Sequence, residues 1–480
     1  MDFSALPTTA FIRPDGENRD EIASLLHQVV DLLVDAMAQA ADRSPLPGSL
    51  VSKTWSQLPQ QSIDEAKLLE ELRSQLLHSM NAAHPGYIGH MDSIPTTMSV
   101  IGDLLVAALN NNMLSVEMSP VFSRLETIVL QQIAQLFGLG PQANGVLVSG
   151  GSLANLQALL VARNISFNAL ENGIPQGQQP VFFVSDVAHT SFKKAAMVMG
   201  LGTKAAIPVA TNHNSQINLD DLNTQITKAK NQGQTPFAIV ATAGTTVTGN
   251  IDPIVEMADI AKAHQLWFHV DAAYGGAVIF SKRHRQQLAG IEQADSVTFN
   301  PQKWLYVAKT CAMVMFRQFD LLQHHFRVLA PYMHDHDDWP NLGELTVQGT
   351  RHPDILKLWL SLQHIAKNGY STIIDHNYAL TQTFTAAVKA RSFLTLASAP
   401  QMNLVCFRAE PAGLPTEEWD SWNQALQQWL LQKGNTFLSL PIYRGQRWLK
   451  AVLLNPFTTA EHIHTLFTHI DSYYASHGSS

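Results

Sequence analysis

Apolar residues recur at three- and four-residue spacing over residues 20–42 (DEIASLLHQVVDLLVDAMAQAAD) and again over 61–80, with SPLPGSL between them as a breaker. A helical N-terminal segment is predicted. From about residue 144 the pattern changes to short β-branched or aromatic runs, GVLVS, VFFVS, KAAIPV, FAIVAT, LWFHV, SVTF and AMVMF, separated by amphipathic stretches. Seven strands alternating with helices predict an α/β fold whose mostly parallel sheet is covered on both faces. After about residue 346 a helix pair returns (ILKLWLSLQHIAKNGYSTIIDHNYALTQTFTAAVKA), followed by FLTLA, NLVCFR and WLKAVLL alternating with helices, as in a small α+β domain. The division expected is 1–90 helical, 91–345 the large α/β domain and 346–480 the small domain. No internal repeat or low-complexity tract is evident.

Composition narrows the classes. Hydrophobic residues make up 46% of the 480 and charged residues 15%, against roughly 25% charged in an average globular chain, so most of this sequence is built to be buried. The formal charge of -8 offers no basic footprint for phosphate backbones, and nucleic acid is not an expected partner. Cys311 and Cys406 sit in apolar strings, read as small core residues, and fit a reducing, cytoplasmic compartment. The start, MDFSALPTTAFIRPDGENRDE, reads as neither a secretory signal nor a transit peptide. The apolar stretch SVIGDLLVAALNNNM is interrupted by Asp103 and is too short to span a bilayer. No membrane association is expected.

Ligands of such sheets gather at the carboxyl ends of the strands, so the residues just after each run carry the search for chemistry. Gly150-Gly151-Ser152 follows GVLVS and opens the helix LANLQALLVAR, which sets free backbone N–H groups beside a hydroxyl. That is an anion cradle or a plain turn, and it is neither a Walker loop nor GxGxxG. Asp271 ends LWFHV, where a carboxylate caps a turn or meets a cationic ligand group. Lys303 follows the next strand in SVTFNPQKW; alone it reads as a solvated surface group. His189 (VSDVAHTSF) and Thr245 and Thr246 (ATAGTTVTG) lie after further strands, each with a turn or cap as its plain alternative. Taken together they change the weighing. Pyridoxal phosphate needs a lysine for its Schiff base, an acid to keep its pyridine nitrogen protonated, and a phosphate anchor.

At these residues the chain resembles the group II pyridoxal-phosphate-dependent amino-acid decarboxylases, which include glutamate, cysteine-sulfinate, diaminobutyrate and aromatic amino-acid decarboxylases. The resemblance runs from about His84 to Asn455 and is strongest in SVEMSPVFSRLE, GGSLANLQALLVAR, ATAGTTVTGNIDPI, LWFHVDAAYGGAVIFSKRHR, ADSVTFNPQKW and VQGTRHPDILKLW. It implies the aspartate-aminotransferase-like fold (fold type I) and an intertwined homodimer. It also implies that Lys303 carries the cofactor and that Asp271 meets the ring nitrogen. His189 would stack on the ring and Ala273 lie against its other face, while Gly151, Ser152, the backbone of Leu153, Asn300 and Gln302 hold the phosphate and Thr246 lines the ring edge. Arg351 and His90 fall to the substrate, and Tyr332 to a mobile catalytic loop, with Tyr332 or His189 as proton donor at Cα.

Two departures stand out. The family usually has a histidine before the lysine (NPHK), whereas here Gln302 can hydrogen-bond but cannot titrate. The late strand RWLKAVLLNP carries Lys450 where an arginine is typical, so the bidentate grip of a guanidinium is missing there or falls to Arg444 or Arg447. MHDHDDW, with His334 and His336, reads as a polar lid loop, and no metal site is expected. The expected reaction is α-decarboxylation of an L-amino acid, with an acidic side chain preferred. The alternatives are an aminotransferase or a decarboxylating aldehyde synthase on the same fold, and a non-catalytic cofactor-binding protein.

Overall fold

The computed structural model describes residues 6–48, 58–329 and 339–478. Two N-terminal helices, α1 (Arg19–Ala38) and α2 (Glu65–His78), precede α3 (Thr97–Leu109) and α4 (Pro120–Leu136). Thr96 caps α3, its hydroxyl accepting from the Ser99 N–H, and Asn110 ends it in the left-handed region at φ 49°. Pro120 opens α4, where a missing N–H costs nothing.

All seven sequence runs form strands: β1 (Asn144–Val148), β2 (Pro180–Ser185), β3 (Ala206–Val209), β4 (Thr235–Thr242), β5 (Trp267–Ala272), β6 (Ser296–Phe299) and β7 (Ala312–Phe316). They make one sheet in the order β1-β7-β6-β5-β4-β2-β3. Pairing is parallel from β3 through β6, whereas β7 runs antiparallel to both β6 and β1. β1, β2, β5, β6 and β7 are buried along their whole length. Helices cover both faces, which is why these strands read as apolar runs instead of alternating. Helix α5 (Gly151–Phe167) starts three residues after β1 and packs across the sheet.

The helix Ile355–Lys389 joins two hydrophobic cores and is broken at Ala366, whose φ is 58°. Leu358, Tyr370 and Ile374 enter the core around the large sheet, and Leu380, Phe384 and Val388 enter a second core with Phe407 and Phe467. That second core is built on a three-stranded antiparallel sheet of Leu394–Leu396, Leu404–Ala409 and Leu449–Val452, with the helices Trp419–Gly434 and Ala460–His477. The long helix crosses α3 so closely that a Cβ at Gly102 would meet the Lys357 Cα at 3.1 Å.

On the N-terminal side, Val30, Val34, Leu68, Leu72, Leu104 and Leu109 leave α1, α2 and α3 with exposed apolar faces. Among the described residues no helix is long and apolar enough to cross a membrane.

Candidate active site

The carboxyl ends of β1, β2, β4, β5 and β6 converge on a cavity of about 440 Å³. Gly151, Ser152, Leu153, His189, Thr246, Asp271, Ala273, Asn300, Gln302 and Lys303 all line it. A wider cleft of about 810 Å³, bordered by His213, His284 and Lys389, contains none of these groups.

Asp271 is the penultimate residue of β5 and is 6% exposed. Its Oδ1 accepts the Ala273 N–H at 3.1 Å and its Oδ2 accepts from Asn155 Nδ2 at 3.0 Å. Lys303 follows β6, its backbone N–H bonded to the Asn300 carbonyl at 3.0 Å and its carbonyl accepting from the Ser93 hydroxyl. Burial pushes the Lys303 ammonium below its ordinary value, opposed by the carboxylates of Asp271 and Asp92. Burial likewise lowers His189, against the pull of Asp271. His189 Nδ1 accepts the Ser191 N–H at 3.2 Å, so a neutral ring carries its proton on Nε2.

Helix α5 supplies the anion end of the cavity. The backbone N–H groups of Gly151 and Ser152 precede the first bonds of the helix turn and stay available. The Leu153 N–H does not, because it already bonds the Gly150 carbonyl at 3.0 Å. A Cβ at Gly151 would lie 2.9 Å from Asn300 Nδ2, so glycine keeps this corner open. Asn300 is 3% exposed and its Oδ1 has no partner within the protein. The Oε1 of Gln302 accepts the Cys311 N–H, which leaves the side-chain N–H donors for the cavity that the residue lines. A buried carboxylate at one end, an amine beside it, and donors with an orphaned amide at the other fit pyridoxal phosphate.

Two expected residues lie elsewhere. Arg351 is buried outside the cavity, where its Nη2 pairs with Glu126 Oε1 at 2.6 Å and also donates to the Leu147 carbonyl at 2.7 Å. The substrate contact expected of it gives way to this ion pair, because Glu126 is 0% exposed and needs a counter-charge. His90 is exposed with its ring 5.2 Å from Phe437, and from HMD only Met91 lines the cavity. Tyr332, with His334 and His336, lies outside the described residues.

Sequence reasoning missed Asn155 and His269. Asn155 lies four residues beyond Gly151, one turn along the same helix face, and His269 lies two before Asp271, on the same face of β5. Those two spacings were the available signals. Lys450, noted only as a departure, is 6% exposed and directs Nζ to the Thr246 carbonyl at 3.4 Å. Asp92, the carboxylate whose charge acts on it, is paired with Lys309, and burial lowers the Lys450 pKa.

Comparison with known proteins gives one family. The model of the pyridoxal-dependent decarboxylase conserved domain matches residues 47–410. L-2,4-diaminobutyrate decarboxylase of Rhizobium meliloti (strain 1021) is 32% identical over 471 residues, covering 94% of this chain and 91% of that protein. The human acidic amino acid decarboxylase GADL1 is 30% identical over 420 residues, covering 84% and 80%. Among solved structures, mouse CSAD in apo form superposes with a TM-score of 0.89 at 28% identity, covering 95% of this chain and 99% of that one.

Proposed function

The chain belongs to the pyridoxal-dependent decarboxylases, and from that premise we propose that it removes the α-carboxylate of an L-amino acid with an acidic side chain. It is a pyridoxal-phosphate-dependent amino-acid decarboxylase of fold type I. The substrate class is the proposal, and one observation carries it. Lys450 brings a buried ammonium, with no carboxylate paired to it, to the carbonyl of Thr246, which lines the cavity, so that a substrate carboxylate would relieve its isolation. A diamino substrate would add a second positive charge there. That acidic and diaminobutyrate decarboxylases both rank among the relatives makes this the contrast to test.

In this reading Lys303 would bear the cofactor and Asp271 would hold a proton at its ring nitrogen. Ala273 and His189 would flank the ring and Thr246 would line its edge. The amides of Gly151 and Ser152, with Asn300 and Gln302, hold the phosphate; the polarity of Gln302 suits an anion without requiring titration. When bound, pyridoxal phosphate supplies the electron sink that lets the Cα–carboxylate bond break. His189 and the Lys303 amine, both lowered by burial, are the groups beside the cavity that would hold or move the proton returned to Cα.

The exposed apolar faces of α1 and α2 support residues 1–90 as a dimerisation segment, covered by a second copy of the chain. Free, buried Cys311 and Cys406 suit a cytoplasmic setting.

The decisive assay supplies carboxyl-labelled glutamate, aspartate, cysteine sulfinate, diaminobutyrate and aromatic amino acids separately, without any oxo acid. Labelled carbon dioxide with stoichiometric amine, fastest from an acidic substrate, is expected; preferential release from diaminobutyrate or an aromatic amino acid overturns the substrate class. Borohydride reduction and peptide mapping should place the pyridoxyl group on Lys303, and a label on Lys309 would remove that assignment. Light scattering should give a dimer, and an active monomer would remove the shared N-terminal segment.

A further inference from the structure

Behind Asp271 lies a run of buried polar groups that the reaction itself does not use. Trp267 Nε1 donates to Ser296 Oγ at 2.8 Å, Ser296 Oγ meets His269 Nδ1 at 2.9 Å, His269 Nε2 meets Asn155 Oδ1 at 3.1 Å, and Asn155 Nδ2 donates to Asp271 Oδ2 at 3.0 Å. Asn155 Nδ2 also reaches Ser191 Oγ at 3.2 Å, and the Phe192 ring stands edge-on to His269 at 6.3 Å. Four elements contribute: β5, β6, α5 and the segment after β2.

The direction of every bond is set by its ends. An indole N–H can only donate and a carboxylate can only accept. Turning the Asn155 amide over would set its oxygen against the Asp271 carboxylate, two acceptors facing each other. Asn155 therefore presents its oxygen to His269, which must donate from Nε2. His269 is fully buried, and burial pushes its pKa down to about 4, so the ring is neutral and Nδ1 is an acceptor. Ser296, already accepting from Trp267, has its own hydroxyl proton for Nδ1. One tautomer and one amide orientation satisfy the whole run.

We infer that Asn155, locked by His269, is a positioning residue that holds the Asp271 carboxyl group oriented toward the ring nitrogen of bound pyridoxal phosphate. This rests on the reading of Asp271 as the ring-nitrogen partner. An amide donor on Oδ2 and the Ala273 N–H on Oδ1 hold both oxygens of the group. They also stop it rotating, since a buried carboxylate held at both oxygens has one low-energy pose. Asn155 fills this place because it offers donor and acceptor on one short planar group, and no apolar residue of its size does so.

The test uses the holoenzyme reconstituted with pyridoxal phosphate labelled with nitrogen-15 in the ring, whose chemical shift reports protonation of that nitrogen, together with the cofactor dissociation constant. Asn155→Leu should weaken cofactor binding about tenfold, the scale of one hydrogen bond to a charged group, and move the shift toward the unprotonated ring. His269→Phe should move both in the same direction. His269→Gln, whose amide keeps a donor for Asn155, should restore both to within about twofold of wild type. Asp271→Asn is the control. If it moves the shift while Asn155→Leu and His269→Phe leave it at the wild-type position, the positioning role is overturned and the Asp271 reading stands. If Asp271→Asn leaves the shift unmoved, the Asp271 reading fails and the positioning role with it. Should Asn155→Leu not fold, the His269→Phe and His269→Gln pair makes the same comparison.

Discussion

Arg351 and Glu126 form a buried ion pair, Nη2 to Oε1 at 2.6 Å, that ties the loop before the long helix to α4. The same Glu126 oxygen accepts the Leu147 N–H at 2.8 Å, and Arg351 returns a bond to the Leu147 carbonyl, so strand β1 is held on its non-ladder side.

Removing one partner strands the other charge in the interior. Arg351→Met should therefore cost about 3 kcal/mol or more of stability, read by denaturant unfolding of the apoprotein. If Arg351 instead serves the substrate, the variant keeps wild-type stability and shows only a raised KM.

Gly151→Ala separates the cradle from the fold. A methyl at position 151 meets Asn300 Nδ2 at 2.9 Å, whereas alanine gains up to about 1 kcal/mol of helix propensity. The apoprotein should melt no lower than wild type while the cofactor dissociation constant, measured by equilibrium dialysis, rises about tenfold, the scale of one charge-assisted hydrogen bond removed. Unchanged cofactor affinity would show that the phosphate sits elsewhere.

Lys450→Met removes the charge and keeps the length of the side chain. KM for the best acidic substrate should rise by at least about tenfold, as expected when one charged hydrogen bond is removed, with little change for a neutral amino acid. An equal effect on both would make Lys450 a support of the Thr246 loop only.

His269 makes a pH signature. Its pKa is about 4 in the folded protein against an ordinary 6.5, so the unfolded chain binds the extra proton between those values and stability falls as pH drops through that window. Above pH 6.5 the neutral ring costs nothing, and the loss of stability grows to about 3 kcal/mol by pH 4. The difference in unfolding free energy between wild type and His269→Gln should shrink as pH falls from 7 to 4.5; a constant difference would mean that the folded imidazole titrates normally.

Local and periodic features were legible in the residues alone. Runs such as FAIVAT and LWFHV are apolar without alternation because both faces of their strands are covered, and that property is written in consecutive residues. The strand-end positions of Asp271, Asn300 and Lys303 followed at once, since a parallel sheet gathers those ends on one edge. Where each long side chain found its partner was settled only by packing in three dimensions. Nothing near Arg351 in the chain announces Glu126, which is 225 positions away, and the family-like string around it pointed toward the substrate. Nor does NPQK reveal that the Gln302 oxygen is taken by Cys311, across the turn into the antiparallel β7. The partner of His269 on β5 is Asn155 of α5, 114 positions away in the chain. Backbone periodicity depends on neighbours in sequence, whereas the partner of a buried polar group depends on which elements pack together, and that choice belongs to the whole chain.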